Sequence, residues 1–225
     1  MFESFVRFTP QDPARAARAM HDRGHRLVWT LFQGGTARDF LYQAIPGYPF
    51  SAIVRSSRPP KADDGWSVTT RAFAPHLKAG QTLAFRLEAV AFRWKPVPGA
   101  RRGKREDLVT AVRRAHREAR QDQDFEAALI HAEALRWFAE QGAKQGFAAA
   151  SKGLAVSVYS QEIRGHERAG RGRRFRFTSF VYEGRLQVTD AEKFRVALHR
   201  GIGAEKAFGF GLIQIAPVPA GNVAV

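Results

Sequence analysis

The apolar residues of this chain change period repeatedly along its length, and that alternation constrains the fold more than any other feature. Two-residue spacing marks strands and spacing near 3.6 marks helices. Phe2–Phe8 reads as a strand with Phe2, Val6 and Phe8 on one face. Pro13–Phe32 reads as a helix, with Ala17, Met20, Leu27, Val28 and Leu31 at helical spacing and Asp12 before Pro13 as its start signal. Arg38–Ala44, Ser51–Ser57 and Gln81–Trp94 read as strands, separated by the turn clusters Pro46-Gly47 and Arg58-Pro59-Pro60.

The second half repeats the same flavour. Helices are expected over Asp107–Arg120 and Phe125–Gln141, and strands over Leu154–Ile163 and Phe175–Tyr182, the latter turning through Glu183-Gly184 into Arg185–Val188. A helix capped by Asp190 over Ala191–Arg200 and a last strand over Phe210–Ile215 follow. This order predicts an α+β protein of two tandem ferredoxin-like (RRM-like) domains with antiparallel sheets. The expected division is 1–95, a basic linker over 96–106 opened by Pro96-Val97-Pro98-Gly99, and 107–225.

Length fits one large domain or two small ones, and composition gives enough apolar surface for a real core: 225 residues, 44% hydrophobic, 18 Phe. Cysteine is absent, which removes disulfide scaffolds, thiol nucleophiles and Cys-ligated metal centres together. No run approaches about 18 consecutive apolar residues, and Met1–Phe5 lacks the pattern of a secretory signal. The expectation is a soluble cytoplasmic protein without a membrane partner.

The formal charge is +15, and ten of those charges fall in two short segments. Arg101–Arg120 carries Arg101, Arg102, Lys104, Arg105, Arg113, Arg114, Arg117 and Arg120 for a net of +5, and Arg164–Arg176 carries another +5 that includes Arg171, Arg173, Arg174 and Arg176. Charge so concentrated predicts a polyanionic partner. The glycines Gly165, Gly170 and Gly172 make the second segment a flexible basic loop between two strand signals.

In the N-terminal helix, His21-Asp22-Arg23-Gly24-His25 places two histidines at i, i+4. The pattern mimics a zinc-protease motif with Asp for Glu, but Gly24 weakens the helix there and no third ligand is signposted, so no metal site is assigned. At about 100° per residue, His25 falls about 140° from Met20 and outside the apolar stripe. It therefore faces solvent or a cleft, and imidazole is the side chain suited to proton transfer near neutrality. At the other end, Gly201–Leu212 carries Gly201, Gly203, Gly209 and Gly211 with Lys206 before an apolar strand, a loop whose backbone can approach a phosphate closely.

The C-terminal pattern of Gly201, Ile202, Gly203, Lys206, Gly209, Gly211, Leu212 and Ile213 resembles the glycine-rich signature of the Cas6 family of CRISPR RNA-processing endoribonucleases, in its Cas6e (CasE, Cse3) branch of type I-E systems. The N-terminal block of His25, Trp29, Leu31 and Phe32 followed by Ala37-Arg38-Asp39-Phe40-Leu41 is similar to that branch's catalytic helix and next strand. Phe85-Arg86-Leu87, Gly103-Lys104-Arg105 and the stretch Phe180, Tyr182, Glu183, Gly184, Leu186, Val188 continue the match in the family's order.

The resemblance implies binding of a CRISPR repeat hairpin and cleavage at its 3′ base without metal or other cofactor, the ribose 2′-hydroxyl attacking to leave a 2′,3′-cyclic phosphate and a 5′-hydroxyl. The mature crRNA hairpin would stay bound, with the protein a subunit of the type I-E Cascade complex; the alternative is a noncatalytic hairpin-binding subunit of that complex. By position His25 is the catalytic histidine, and Asp22 stands where the family often has Tyr, placed to orient His25 or raise its pKa. Arg101, Arg102, Lys104, Arg105, Arg113, Arg114, Arg117, Arg171, Arg173, Arg174 and Arg176, with Gly201, Gly203, Lys206, Gly209 and Gly211, are the candidate RNA contacts.

Overall fold

Strand β1 (Phe2–Phe8) alternates as expected, with Ser4, Val6 and Phe8 buried and Phe5 and Arg7 exposed. The computed structural model describes residues 1–9, 24–34, 38–63, 65–99, 101, 103–118, 122–149, 153–164 and 174–218, without the side chains of 162–164, 174 and 175. The chain forms two units. One comprises the described residues within Met1–His76, Glu162–Arg176 and Leu198–Leu212, and the other those within Leu77–Gln161, Phe177–Ala197 and Ile213–Val225.

In the first unit, α1 (His25–Thr30), β2 (Phe40–Ile45), β3 (Phe50–Ser56) and β4 (Trp66–Ala72) follow β1, and the sheet order is β2-β3-β1-β4. Every neighbouring pair is antiparallel, with Val6 opposite Ala52 and Val68. This is the strand order of a ferredoxin-like sheet. Helix α1 lays Leu27 and Val28 onto the core with Phe40, Phe50 and Val54, and Phe32 stacks on Phe40 at 4.5 Å. The expected helix over Pro13–Phe32 is described only from His25, so Ala17 and Met20 lie outside the described residues. Strand β4 escapes sequence detection because it is a sheet edge with most of its residues exposed, leaving no apolar alternation to read.

Along the rest of the chain, β5 (Thr82–Val90), β6 (Phe92–Lys95), β7 (Lys104–Asp107), α2 (Leu108–Ala115), α3 (Gln123–Gln145), β8 (Phe147–Ala149), β9 (Ala155–Arg164), β10 (Arg174–Val188), α4 (Ala191–Arg200) and β11 (Ile213–Pro217) follow in order, the end of β9, the start of β10 and the end of α4 belonging to the first unit and the rest to the second. The order β11-β5-β10-β8 repeats that of the first sheet, with β9 also on β10. Its core stacks Phe85 on Phe138 and Phe138 on Tyr182, centroids 5.2 and 4.6 Å apart. The tandem ferredoxin-like architecture with antiparallel sheets is therefore as expected.

Three expectations change. The span assigned to the first domain, 1–95, includes β5, which pairs with β10 and β11 in the second sheet. Local periodicity finds a strand but says nothing of its partner. The basic linker over 96–106 is in part β7, paired with β6 in a hairpin. The turn expected at Glu183-Gly184 is instead the middle of β10, which keeps one register with β5 from Ser179↔Val90 to Gln187↔Thr82.

Candidate active site

Gly24 enters α1 in the left-handed region at φ 78°, and a Cβ there would collide with the Phe50 ring. The backbone is thereby pressed onto β3, and His25 leaves the helix outside the buried pair Leu27 and Val28. Half-buried, its ring lies 5.9 Å from that of Trp29, one turn along, and 5.8 Å from that of Phe208. Its Nδ1 is buried without a hydrogen-bond partner among the described residues. An imidazole set beside two rings on a half-buried helix position is a group able to exchange a proton with a bound ligand.

Phe208 belongs to a single 3-10 turn, Lys206–Phe208, inside the glycine-rich segment. Tyr42 holds that turn: its hydroxyl donates to the Ala207 carbonyl at 3.1 Å. Gly209, at φ 82°, lies so close that a Cβ would stand 2.8 Å from Tyr42 Cε2. The Ile202 amide donates to the Gly211 carbonyl at 2.9 Å and closes the base of the loop, which also contains Gly201 and Gly203. The two segments that the sequence singles out at opposite ends of the chain thus meet at His25 and Phe208.

Cations gather on the same unit. Burial pushes the Lys206 ammonium below its ordinary pKa, and the charges of Arg38 and Arg200 push it further in the same direction. Burial also lowers the Arg38 pKa. A buried ammonium under the charges of two arginines is a place that an anion would relieve. Of these three cations, the sequence marks only Lys206 as a candidate RNA contact. Arg38 and Arg200 are not singled out by the sequence, because no linear spacing connects the residues before β2 with the end of α4.

The remaining expected residues are spread out. Arg101, Lys104 and Arg105 are exposed on or beside the β6–β7 hairpin. Arg113 is paired with Glu126, and Arg114 with Glu106 at 2.9 Å, so each charge is met by a carboxylate within the second unit. Arg117 and Arg176 are exposed. Arg174 lies on β10, while His21, Asp22, Arg102, Arg171 and Arg173 lie outside the described residues. Among the described residues, no three His, Asp or Glu side chains gather in a way that could hold a metal ion. No helix described is long and apolar enough to cross a membrane.

Two antiparallel ferredoxin-like sheets, the first bearing a helix-borne histidine against a basic glycine-rich turn, define the class of protein to which this chain belongs. The model of the CRISPR associated protein family matches residues 1–217, and the chain is a member of that family. It is 26% identical over 205 residues to the CRISPR-associated endoribonuclease Cse3 of Thermus thermophilus, covering 89% of this chain and 84% of the relative. The structure of Thermus thermophilus Cse3 bound to an RNA representing a pre-cleavage complex superposes with a TM-score of 0.72 at 25% identity, over 96% of this chain and 98% of that one. The crystal structure of Cas6e from Escherichia coli K-12 gives 0.66 at 20% identity, over 97% and 100%. The resemblance to the Cas6e branch, carried by motifs from His25 to Ile213, is thus matched along nearly the whole chain.

Proposed function

We propose that this protein is a metal-independent endoribonuclease that cuts CRISPR precursor RNA at the 3′ base of the repeat stem-loop and stays on the crRNA hairpin as a subunit of a type I-E Cascade complex. The single observation that carries the reading is the approach of His25 to Phe208 of the glycine-rich turn. It sets a proton-exchanging group beside the turn that carries Lys206.

In the proposed reaction the ribose 2′-oxygen attacks the adjacent phosphorus in line, the P–O5′ bond breaks, and the 2′-hydroxyl proton leaves as the 5′-oxygen gains one. The products are a 2′,3′-cyclic phosphate and a 5′-hydroxyl. His25 performs one of the two proton steps, with Trp29 and Phe208 limiting its motion. Lys206, with Arg38 and Arg200 near it, offsets the charge that grows on the phosphorane oxygens. Asp22 is proposed to orient His25. The backbone at Gly201, Gly203, Gly209 and Gly211, the exposed Arg101, Lys104, Arg105, Arg117 and Arg176, and Arg102, Arg171, Arg173 and Arg174 hold phosphates. Arg113 and Arg114 join them by exchanging a carboxylate for a phosphate.

The test is a single-turnover cleavage assay on a repeat hairpin in excess EDTA, with identification of both new ends. The expected result is cleavage at undiminished rate, giving a cyclic phosphate and a 5′-hydroxyl. Activity that is lost on chelation and restored by a divalent cation would overturn the metal-free mechanism. Tight binding with no cleavage would leave a noncatalytic hairpin-binding subunit.

A further inference from the structure

The pairing of β6 with β7 sorts its side chains onto two faces of a two-stranded ribbon. Phe92, Trp94, Arg105 and Asp107 share one, and Arg93, Lys95, Lys104 and Glu106 share the other. On the first face, Phe92 and Trp94 meet edge to face at 5.7 Å, and the Arg105 guanidinium lies over the Phe92 ring at 5.4 Å. Trp94 is 61% exposed. Asp107, the carboxylate on this face, accepts hydrogen bonds from the amides of Val109, Thr110 and Thr178.

The second face bears Lys95 directly opposite Lys104, a like-charge cross-strand pair that disfavours the hairpin in isolation. Glu106, held by Arg114 at 2.9 Å, also feels the Lys95 charge and leaves Lys104 the less balanced of the two, while Arg93 is bound by Glu133 and Glu140 at 2.5 Å each. The ribbon therefore offers an exposed indole set edge to face against Phe92, whose ring Arg105 covers, with the ammonium groups of Lys95 and Lys104 on the opposite face and exposed Arg101 near its connection. Stacking on an indole needs a base free of its own helix, and the ammonium groups need phosphates, a combination met by unpaired nucleotides.

We propose that the β6–β7 hairpin is a platform for single-stranded RNA, Trp94 stacking on a base while Lys95, Lys104 and Arg105 take the neighbouring phosphates. This inference rests on the RNA-processing reading above and adds to it a subsite for nucleotides that flank the repeat stem.

Binding of a short fluorescent oligouridylate by anisotropy, beside cleavage of a repeat hairpin trimmed of its flanks, tests it. Trp94→Ala should weaken oligouridylate binding roughly tenfold, Trp94→Phe should recover most of that loss, and Lys95→Gln should flatten the log–log salt slope by about 0.7. The trimmed hairpin should be cut by both Trp94 variants at the wild-type rate. If the wild type neither binds nor cuts any RNA, the RNA-processing reading falls and this inference with it. If the wild type cuts the hairpin but Trp94→Ala binds oligouridylate as tightly as wild type does, this inference alone is overturned. Unchanged oligouridylate affinity in Trp94→Ala, with loss of a co-purifying protein, overturns it in favour of a protein partner.

Discussion

The ring of His25, on the short helix near the N-terminus, stands 5.8 Å from the ring of Phe208, on the glycine-rich turn near the C-terminus. Under the proposed function, the RNA phosphate meets both the imidazole and Lys206 of the turn that carries Phe208. The contact also gives the two chain ends a shared role that can be tested one side chain at a time.

Replacing His25 by Ala is expected to lower single-turnover cleavage of a repeat hairpin by roughly 10²–10⁴ while leaving hairpin affinity nearly unchanged, since the imidazole moves a proton and carries little of the binding charge. His21→Ala serves as the control. Equal loss in both variants, measured by quench and gel analysis, would place the chemistry elsewhere.

Tyr42 holds the turn that carries Phe208 through a hydrogen bond and a close approach to Gly209. Tyr42→Phe removes the bond to the Ala207 carbonyl and should cost about 0.5–1.5 kcal/mol in urea unfolding. Phe208→Ala frees one side of the His25 ring, so the cleavage step should slow about tenfold at saturating RNA, with KM little changed. A change confined to KM would mean that Phe208 binds RNA and does not position His25.

Lys206 should make RNA affinity sensitive to alkaline pH. Burial, then Arg38 and Arg200, hold its pKa below the ordinary lysine value, so the ammonium loses its proton earlier than a free lysine as pH rises. Affinity for the hairpin is expected to decline on the alkaline side before ordinary lysines titrate, and Lys206→Arg should abolish that decline because a guanidinium stays charged. The same lowered pKa makes folding stability rise with pH between the folded and the ordinary lysine values, since the unfolded chain binds the extra proton. A pH series of anisotropy titrations checks the first effect, and an identical decline in wild type and Lys206→Arg would contradict it.

Glu3 should govern acid stability of the first unit. Burial acts to raise its pKa, but hydrogen bonds from Arg55 and Arg71, at 2.7 and 2.5 Å, outweigh it and hold the carboxyl below the usual range. The stabilisation is therefore present above the ordinary carboxylate pKa and is lost as pH falls through the lowered folded value. Arg55 is 2% exposed, also donates to the Leu198 carbonyl at 3.2 Å and lies 4.0 Å over the Phe73 ring. Glu3→Gln leaves that buried guanidinium without its counter-charge and should cost about 3–5 kcal/mol at neutral pH. Urea midpoints at neutral and acid pH should converge for wild type and variant as the pH drops, and a constant gap between them would disprove the assignment.

By itself the sequence determined the order and kind of most elements: β1, β2, β3, α3 and α4 lie within a few residues of where their periodicity placed them. It also marked the basic segments, and it showed both halves of the His25 site through patterns local to each chain end. Those features depend on neighbours within a few positions, which is all that periodicity and turn chemistry record. Tertiary structure decided what depends on partners far along the chain. β5 pairs in the second sheet, Phe92–Lys95 pairs back onto Lys104–Asp107 across a supposed linker, and Arg113 and Arg114 meet Glu126 and Glu106. Lys206 comes under the charges of Arg38 and Arg200, and His25 meets Phe208. Strand pairing and charge clustering follow from which apolar faces bury one another, and that choice is made by the folded chain as a whole and not by any window of residues.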